Sequence, residues 1–179
     1  MNPANKATLL RMLLVPVFVV CFYFDGFFWD LLACVIFIFA SLTDAWDGWY
    51  ARKHNLVTDF GKLMDPMADK LLLCTAYIML CSIGKVSGLL TSIFVGRELV
   101  ISAFRLIAVE KGVVIAAGKL GKIKTALQCV SIVLLLLDNP IFRSIGVPMD
   151  RIVLYLAAFF TLISVIDYIS KNRKLVSTL

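Results

Sequence analysis

The sequence predicts an all-α integral membrane protein, with six transmembrane helices in one domain (residues 1–179) preceded by a short N-terminal interfacial helix. Three observations predict it. Hydrophobic residues make up 61% of the chain and the mean hydropathy is +0.93, well outside the range of an ordinary soluble domain. The apolar residues gather in six runs, 8–24, 29–49, 62–82, 89–109, 122–138 and 149–170. Each is close to the ~20 residues a spanning helix needs. The connections between them are short, which leaves no room for a second, soluble domain.

The net charge of +6 would suggest nucleic acid in a soluble protein. In a membrane chain it sets orientation, because basic residues collect on the cytoplasmic side. With the N-terminus inside, only Lys85, Arg143 and Arg151 of the 18 basic residues fall outside. The expected product is a multi-pass protein of the cell membrane with both termini in the cytoplasm and no nucleic-acid partner. Cys21, Cys34, Cys74, Cys81 and Cys129 stand singly in apolar runs, with no paired spacing, and read as small hydrophobes. The first run follows Lys6 and Arg11 as a signal peptide would, but it continues into Phe22-Tyr-Phe24 without a small-residue cleavage site and reads as retained.

Residues 2–8 are polar, and Asn5 or Thr8 can cap a helix start. Arg11 follows within a turn, so this segment reads as the interfacial helix, and a plain anchor explains it equally well. Pro16 removes a donor well inside helix 1 and is expected to kink it. The turn Asp25–Asp30 mixes glycine with interface aromatics and carries no chemistry. Helix 2 then brings Asp44 and Asp47 to its cytoplasmic end. Helix 3 is expected to begin near Lys62–Asp65, because Pro66 is tolerated in a first turn, where N–H groups lack partners anyway. That start puts Asp65 and Asp69 in the first two turns, with Lys70 able to balance charge.

Helix 4 sets Arg97-Glu98 within an apolar run and Arg105 two turns nearer the cytoplasm. Charges inside a span face a cavity or a partner, so Arg97 and Glu98 are readable as a structural ion pair. The run Gly118–Thr125 opens helix 5 with Lys119, Lys122 and Lys124. Lysines at a helix N-terminus suit a phosphate group, although an ordinary basic cytoplasmic loop looks the same. Helix 6 ends at Asp167 and the basic stretch Lys171–Lys174.

The chemistry concentrates between residues 44 and 69. On a helix each residue advances about 100°, so Asp44, Asp47, Gly48, Ala51 and Arg52 fall on one arc roughly 140° wide. Asp65 and Asp69, four apart, also share a face. His54 and Asp59 lie between the two helices and off that arc. Any single Asp reads plainly as a solvated cap. The spaced set does not, because Gly48, Ala51 and Gly61 leave room for something to approach the backbone. If the two helix ends meet, four carboxylates converge without enough base to neutralise them. Such a donor set calls for hard divalent cations, Mg²⁺ or Mn²⁺.

Written out, these residues are D-x2-D-G-x2-A-R-x8-G-x3-D-x3-D. The pattern resembles the signature of the CDP-alcohol phosphotransferases, integral membrane enzymes of phospholipid synthesis, and all eight fixed positions are present. The resemblance implies transfer of a phosphatidyl group from CDP-diacylglycerol to an alcohol, with release of CMP. It implies two Mg²⁺ or Mn²⁺ ions held by Asp44, Asp47 and Asp65, with Asp69 as second-site ligand, general base for the acceptor hydroxyl, or both. Asn5 and Thr8, with Arg11, match an N-terminal family pattern near the nucleotide. Together with Gly48, Ala51, Arg52 and Gly61 they form the CDP-diacylglycerol set.

Arg105, Lys122 and Lys124 offer a second anion site, so the acceptor itself is read as carrying phosphate. Gly96–Leu99, Asp65–Lys70 and Gly121–Thr125 resemble the bacterial phosphatidylglycerophosphate synthase branch, whose acceptor is sn-glycerol 3-phosphate. Serine, inositol phosphate and phosphatidylglycerol are the acceptors of sister branches. The resemblance also implies a homodimer. A different class, a divalent-cation channel or carrier, would distribute acidic residues along the bilayer depth. Here all four lie at one face, beside Arg52.

Overall fold

The computed structural model describes residues 3–53, 59–110, 118–143 and 145–171, with side chains except at 3–7, 44–53, 59–66, 69, 109, 110, 119, 141 and 143. Among the described residues all regular structure is helical. The elements are α1 (Pro3–Cys21), α2 (Phe27–Lys53), α3 (Asp59–Ser82), α4 (Gly88–Glu110), α5 (Lys119–Leu136), α6 (Pro140–Arg143) and α7 (Met149–Lys171). Six long helices coincide with the six apolar runs, and α6 is a single turn within the connection between α5 and α7.

Two helix starts differ from expectation. The polar N-terminal segment is not a separate interfacial helix, because α1 runs unbroken from Pro3 and continues through Pro16. Pro3 occupies the first helical position, where the missing N–H has no intrahelical partner to lose, and no breaker follows before the apolar run. Likewise α3 starts at Asp59, so Pro66 lies beyond its first turn and Asp69 is nearly three turns in.

Packing joins the helices in two groups, linked by α3 and by α2 against α5. One face of α1 packs against α2 and α3, while α5 packs chiefly against α7, and α4 bridges α3 and α7. Phe18, Phe37, Leu72, Tyr77, Leu80, Phe94, Ile132, Leu136 and Leu154 fill the common core. Ala40, Ala68, Ala76, Ala108 and Ala157 are fully buried, which allows close helix approach. The Tyr77 ring stacks on Phe94 with centroids 4.3 Å apart, and its hydroxyl lies 2.7 Å from Ser131 Oγ, so one side chain ties α3 to both α4 and α5. The five cysteines are free thiols.

At the end of the bundle remote from the acidic motif, Lys85 Nζ donates to the Leu135 carbonyl (3.0 Å) and pairs with Asp138 (2.7 Å). Arg151 donates to the Lys85 carbonyl (2.9 Å). These bonds fasten the α3–α4 turn to the ends of α5 and α7. Gly84 in that turn has φ +75°, a conformation that glycine adopts without strain.

The outward surface is apolar along most helices, with Leu13, Leu99, Leu106, Phe159 and Ile166 more than half exposed. Among the described residues α7 is long and apolar enough to cross a membrane. Thr8–Cys21, Phe27–Thr43 and Lys70–Ser82 are shorter apolar stretches of α1, α2 and α3.

Candidate active site

The acidic motif straddles one helix-to-helix connection. Asp44, Asp47, Gly48, Ala51 and Arg52 lie in the last turns of α2, and Gly61, Asp65 and Asp69 in the first three turns of α3. Residues 54–58 join the two, so Lys53 and Asp59 stand no more than about 22 Å apart. The two helices also pack against each other. Topology therefore brings the two acid-bearing helix ends together. The side chains of all eight signature residues, and that of Asn5, lie outside the described residues, so the convergence of their carboxylates stays an expectation. The donor set is oxygen-only and anionic, which fits a hard divalent cation.

Helix α1 presents its polar residues to the same end. Thr8 and Arg11, three apart and thus on one face, are both fully buried. Since α1 packs on α2 and α3, that face is directed into the bundle at the level of its N-terminal turns. Burying an arginine within an apolar chain is costly unless it meets polar groups, which marks the interior here as polar.

The second half of the site is a cavity of about 370 Å³ between α3, α4 and α5. Lys70 lines it from α3, Arg97, Glu98, Ile101 and Arg105 from α4, and Gly121, Lys122, Lys124 and Thr125 from α5. Arg105, Lys122 and Lys124, picked out from the sequence as an anion site, are thus brought to one cavity. Helical phase explains their different settings. Lys122 and Lys124 are two residues apart, about 200° around α5, so Lys122 is exposed while Lys124 is 2% exposed. Lys70 is the residue after Asp69 in α3, so the cavity meets that helix one residue past the last position of the motif.

Among the described residues that line the cavity, one carboxylate accompanies five cations. Glu98 pairs with Lys124 and, at 3.3 Å, with Arg97. Arg97 also reaches α7, donating from Nη2 to Ser164 Oγ at 3.2 Å. Lys70 Nζ donates to Ser102 Oγ (2.5 Å), and that hydroxyl donates to the Glu98 carbonyl. The Nε–H groups of Arg97 and Arg105 are buried and, among the described residues, have no hydrogen-bond partner. Buried donors of this kind are rare and costly, so these two are set to receive an acceptor. Gly121 brings α5 close, since a Cβ there would lie 4.0 Å from Arg97 Nη2.

Lys70, Arg97 and Glu98 were not assigned to the anion site from the sequence. Arg97 and Glu98 do form the ion pair anticipated as their structural reading, and they line the cavity as well. The available signal was phase: Glu98 and Arg105, seven apart, share a face of α4, and Lys124, Gln128 and Ser131 share a buried face of α5. A second cavity, about 320 Å³, lies at the far end of α5 among Asp138, Asn139, Gly146 and Asp150. Its Asp138 is already held by Lys85, and it is remote from both the acidic motif and the cation cluster.

Comparison with known proteins gives consistent results. A family model described as CDP-alcohol phosphatidyltransferase matches residues 1–163. The chain is 38% identical to a CDP-diacylglycerol–glycerol-3-phosphate 3-phosphatidyltransferase of Bacillus subtilis, over 99% of this chain and 98% of that one. It is 34% identical to the protein of the same description from Rickettsia felis, over 97% and 96% of the two chains. A probable phosphatidylglycerophosphate synthase of Mycobacterium tuberculosis is 35% identical, over 95% of this chain and 81% of its own length.

Proposed function

The chain belongs to the CDP-alcohol phosphatidyltransferase family, and from that premise we propose that it transfers the phosphatidyl group of CDP-diacylglycerol to sn-glycerol 3-phosphate, yielding phosphatidylglycerophosphate and CMP. The observation that supports the acceptor assignment is the cavity lined, among the described residues, by five cations and one carboxylate, with two guanidinium N–H groups that have no partner among those residues. A neutral alcohol such as serine or glycerol has no use for that much positive charge. A phosphomonoester dianion does, and charge-assisted hydrogen bonds from arginine are the strong ones. The printed descriptions of the relatives name the same acceptor.

In this reading the chain is a multi-pass protein of the cell membrane, with six spans, cytoplasmic termini and a cytoplasm-facing site. The apolar outer surface of the helices and the one-sided distribution of basic residues support it. The diacyl tails stay in lipid while the cytidine diphosphate head enters between α1, α2 and α3. Asn5, Thr8, Gly48, Ala51, Arg52 and Gly61 receive that head. The small residues permit close approach to the backbone, and Arg52 meets phosphate. Asp44, Asp47, Asp65 and Asp69 would hold one or two Mg²⁺ or Mn²⁺ ions, which supply charge stabilisation to the pyrophosphate and the departing CMP.

Lys70, Arg97, Arg105, Lys122 and Lys124 hold the phosphate of the acceptor and direct its hydroxyl end toward the acidic motif. Asp69 takes the proton of that hydroxyl as its oxygen bonds to the lipid-bearing phosphorus. The bond from that phosphorus to the CMP oxygen breaks, and CMP leaves with its electron pair. Fixing both substrates in one frame converts an encounter in the membrane plane into an intramolecular step, the largest advantage such a site can supply. Two copies of the chain form a homodimer in this reading, as the family resemblance implies.

The test is CMP release by the purified protein supplied with CDP-diacylglycerol, Mg²⁺ and each acceptor in turn, with Asp69→Asn as control. Release with glycerol 3-phosphate alone, lost in the variant, is the expected result. Release only with serine or inositol phosphate would retain the family and overturn the acceptor. No release with any acceptor, together with Mg²⁺ flux into liposomes, would overturn the enzyme reading altogether.

A further inference from the structure

We propose that Glu98 is a positioning residue for the acceptor site, setting affinity for the phosphate by holding Lys124 and Arg97 in the cavity without touching the reacting atoms. The inference rests on the acceptor reading given above. Glu98 is 5% exposed and Lys124 2% exposed, and they face each other from α4 and α5. Lysine is a flexible point charge on a long stem. Four other cations (Lys70, Arg97, Arg105 and Lys122) line the same 370 Å³, and their repulsion favours any arrangement that carries the ammonium out. The Glu98 carboxylate counters that repulsion at the one wall where both α4 and α5 reach it.

The same carboxylate acts on Arg97. Its 3.3 Å contact with Nη1, together with the Nη2 bond to Ser164, fixes the guanidinium plane from two sides and leaves Nε–H presented, unpartnered among the described residues, to the interior. The Glu98 carbonyl accepts from Ser102 Oγ, the hydroxyl that receives Lys70 Nζ. One residue thus connects to three of the five cations, on three helices. A purely structural ion pair needs only one partner, and the usual finding is that such buried pairs add little stability over apolar residues. An arrangement that orders several donors around a space has a use in binding, because donors fixed before binding do not lose that freedom when the ligand enters.

The experiment measures initial rates of CMP release in four proteins, each over a range of glycerol 3-phosphate and of CDP-diacylglycerol: wild type, Glu98→Gln, Lys124→Met and the double variant. Glu98→Gln keeps the shape and removes the charge. Its KM for glycerol 3-phosphate is expected to rise at least tenfold, while kcat and the KM for CDP-diacylglycerol change less than twofold. In the Lys124→Met background the same substitution is expected to add less than threefold, since the ammonium it holds is already gone and only its hold on Arg97 remains. An unchanged acceptor KM in Glu98→Gln, equal rises in both KM values, or the full tenfold effect repeated without Lys124 would overturn the proposal. If Glu98→Gln alone yields no folded protein, the comparison of Lys124→Met with the double variant decides by the same threefold limit. Lys124→Met tests the underlying reading separately. An unchanged acceptor KM in that single variant would mean that the cavity does not take the acceptor phosphate, whatever Glu98 does.

Discussion

Arg105→Gln separates recognition from folding better than any other change in the cation cavity. Among the described residues Arg105 makes no hydrogen bond or ion pair, and its Nε–H is buried without a partner. Arg97, by contrast, is bonded to Glu98 and Ser164, so its removal mixes two effects. Among the described residues, removing Arg105 breaks no hydrogen bond or ion pair and relieves repulsion among five cations, so stability is expected to stay level or rise slightly. Bound phosphate would lose a charge-assisted hydrogen bond worth about 1.5–3 kcal/mol. At 1.4 kcal/mol per factor of ten, the KM for glycerol 3-phosphate rises roughly 10- to 150-fold. The assay is CMP release at saturating CDP-diacylglycerol, with inorganic phosphate as a competing anion whose inhibition should weaken by a similar factor. A KM for glycerol 3-phosphate within twofold of wild type would refute the reasoning. So would a rise confined to the KM for CDP-diacylglycerol, which would place the guanidinium on the donor pyrophosphate.

Four further outcomes are expected. Chelation of divalent ions should abolish CMP release and added Mg²⁺ or Mn²⁺ should restore it, while Asp69→Asn should lower kcat by about 10²- to 10⁴-fold, the range for a lost general base; a variant retaining half its rate would remove Asp69 from the chemistry. Gly121→Leu should raise the acceptor KM several-fold, because a Cβ there already reaches contact distance of Arg97 Nη2 (4.0 Å) and the longer side chain would occupy space in the cavity that the guanidinium borders; an unchanged KM would show that the cavity absorbs the added side chain. Tyr77→Phe loses a buried hydroxyl bond to Ser131 (2.7 Å) worth about 1 kcal/mol, which lowers Tm in detergent by about 2–4 °C for a chain of this size. Its kcat should stay within twofold, and a large loss of activity would mean that the Tyr77–Ser131 link is coupled to the cavity above it.

The all-helical layout and the gathering of Arg105, Lys122 and Lys124 at one cavity were legible in the sequence, and what escaped has a physical reason. Hydropathy marks where a chain is oily, not where its backbone hydrogen bonds stop. It therefore located all six long helices but put the start of α3 at Lys62–Asp65 when the helix begins at Asp59, and separated an N-terminal helix that is continuous with α1. The acidic motif was readable because its members are close in sequence and phased on two adjoining helices. Arg105, Lys122 and Lys124 were readable as charges in or beside oil, which need a reason. Lys70 and Glu98 were not assigned, because each had a sufficient local explanation. Lys70 sits beside an aspartate and Glu98 beside an arginine. Only the packing of α3, α4 and α5 shows that these residues face one space.

Helix α3 carries Asp69 and Lys70 in succession, and in the proposed function this makes it the ruler between the two substrates. Each residue of a helix sets an advance of about 1.5 Å and a turn of about 100°. A single residue inserted between them would swing the acceptor cavity a quarter-turn and more away from the carboxylates without damaging either. In that reading the donor half, on α1, α2 and the start of α3, and the acceptor half, on α4, α5 and Lys70 of α3, meet along α3 and where α2 packs against α5. Under that reading an exchange of one alcohol for another falls on α4, α5 and Lys70, so long as the spacing along α3 is left untouched.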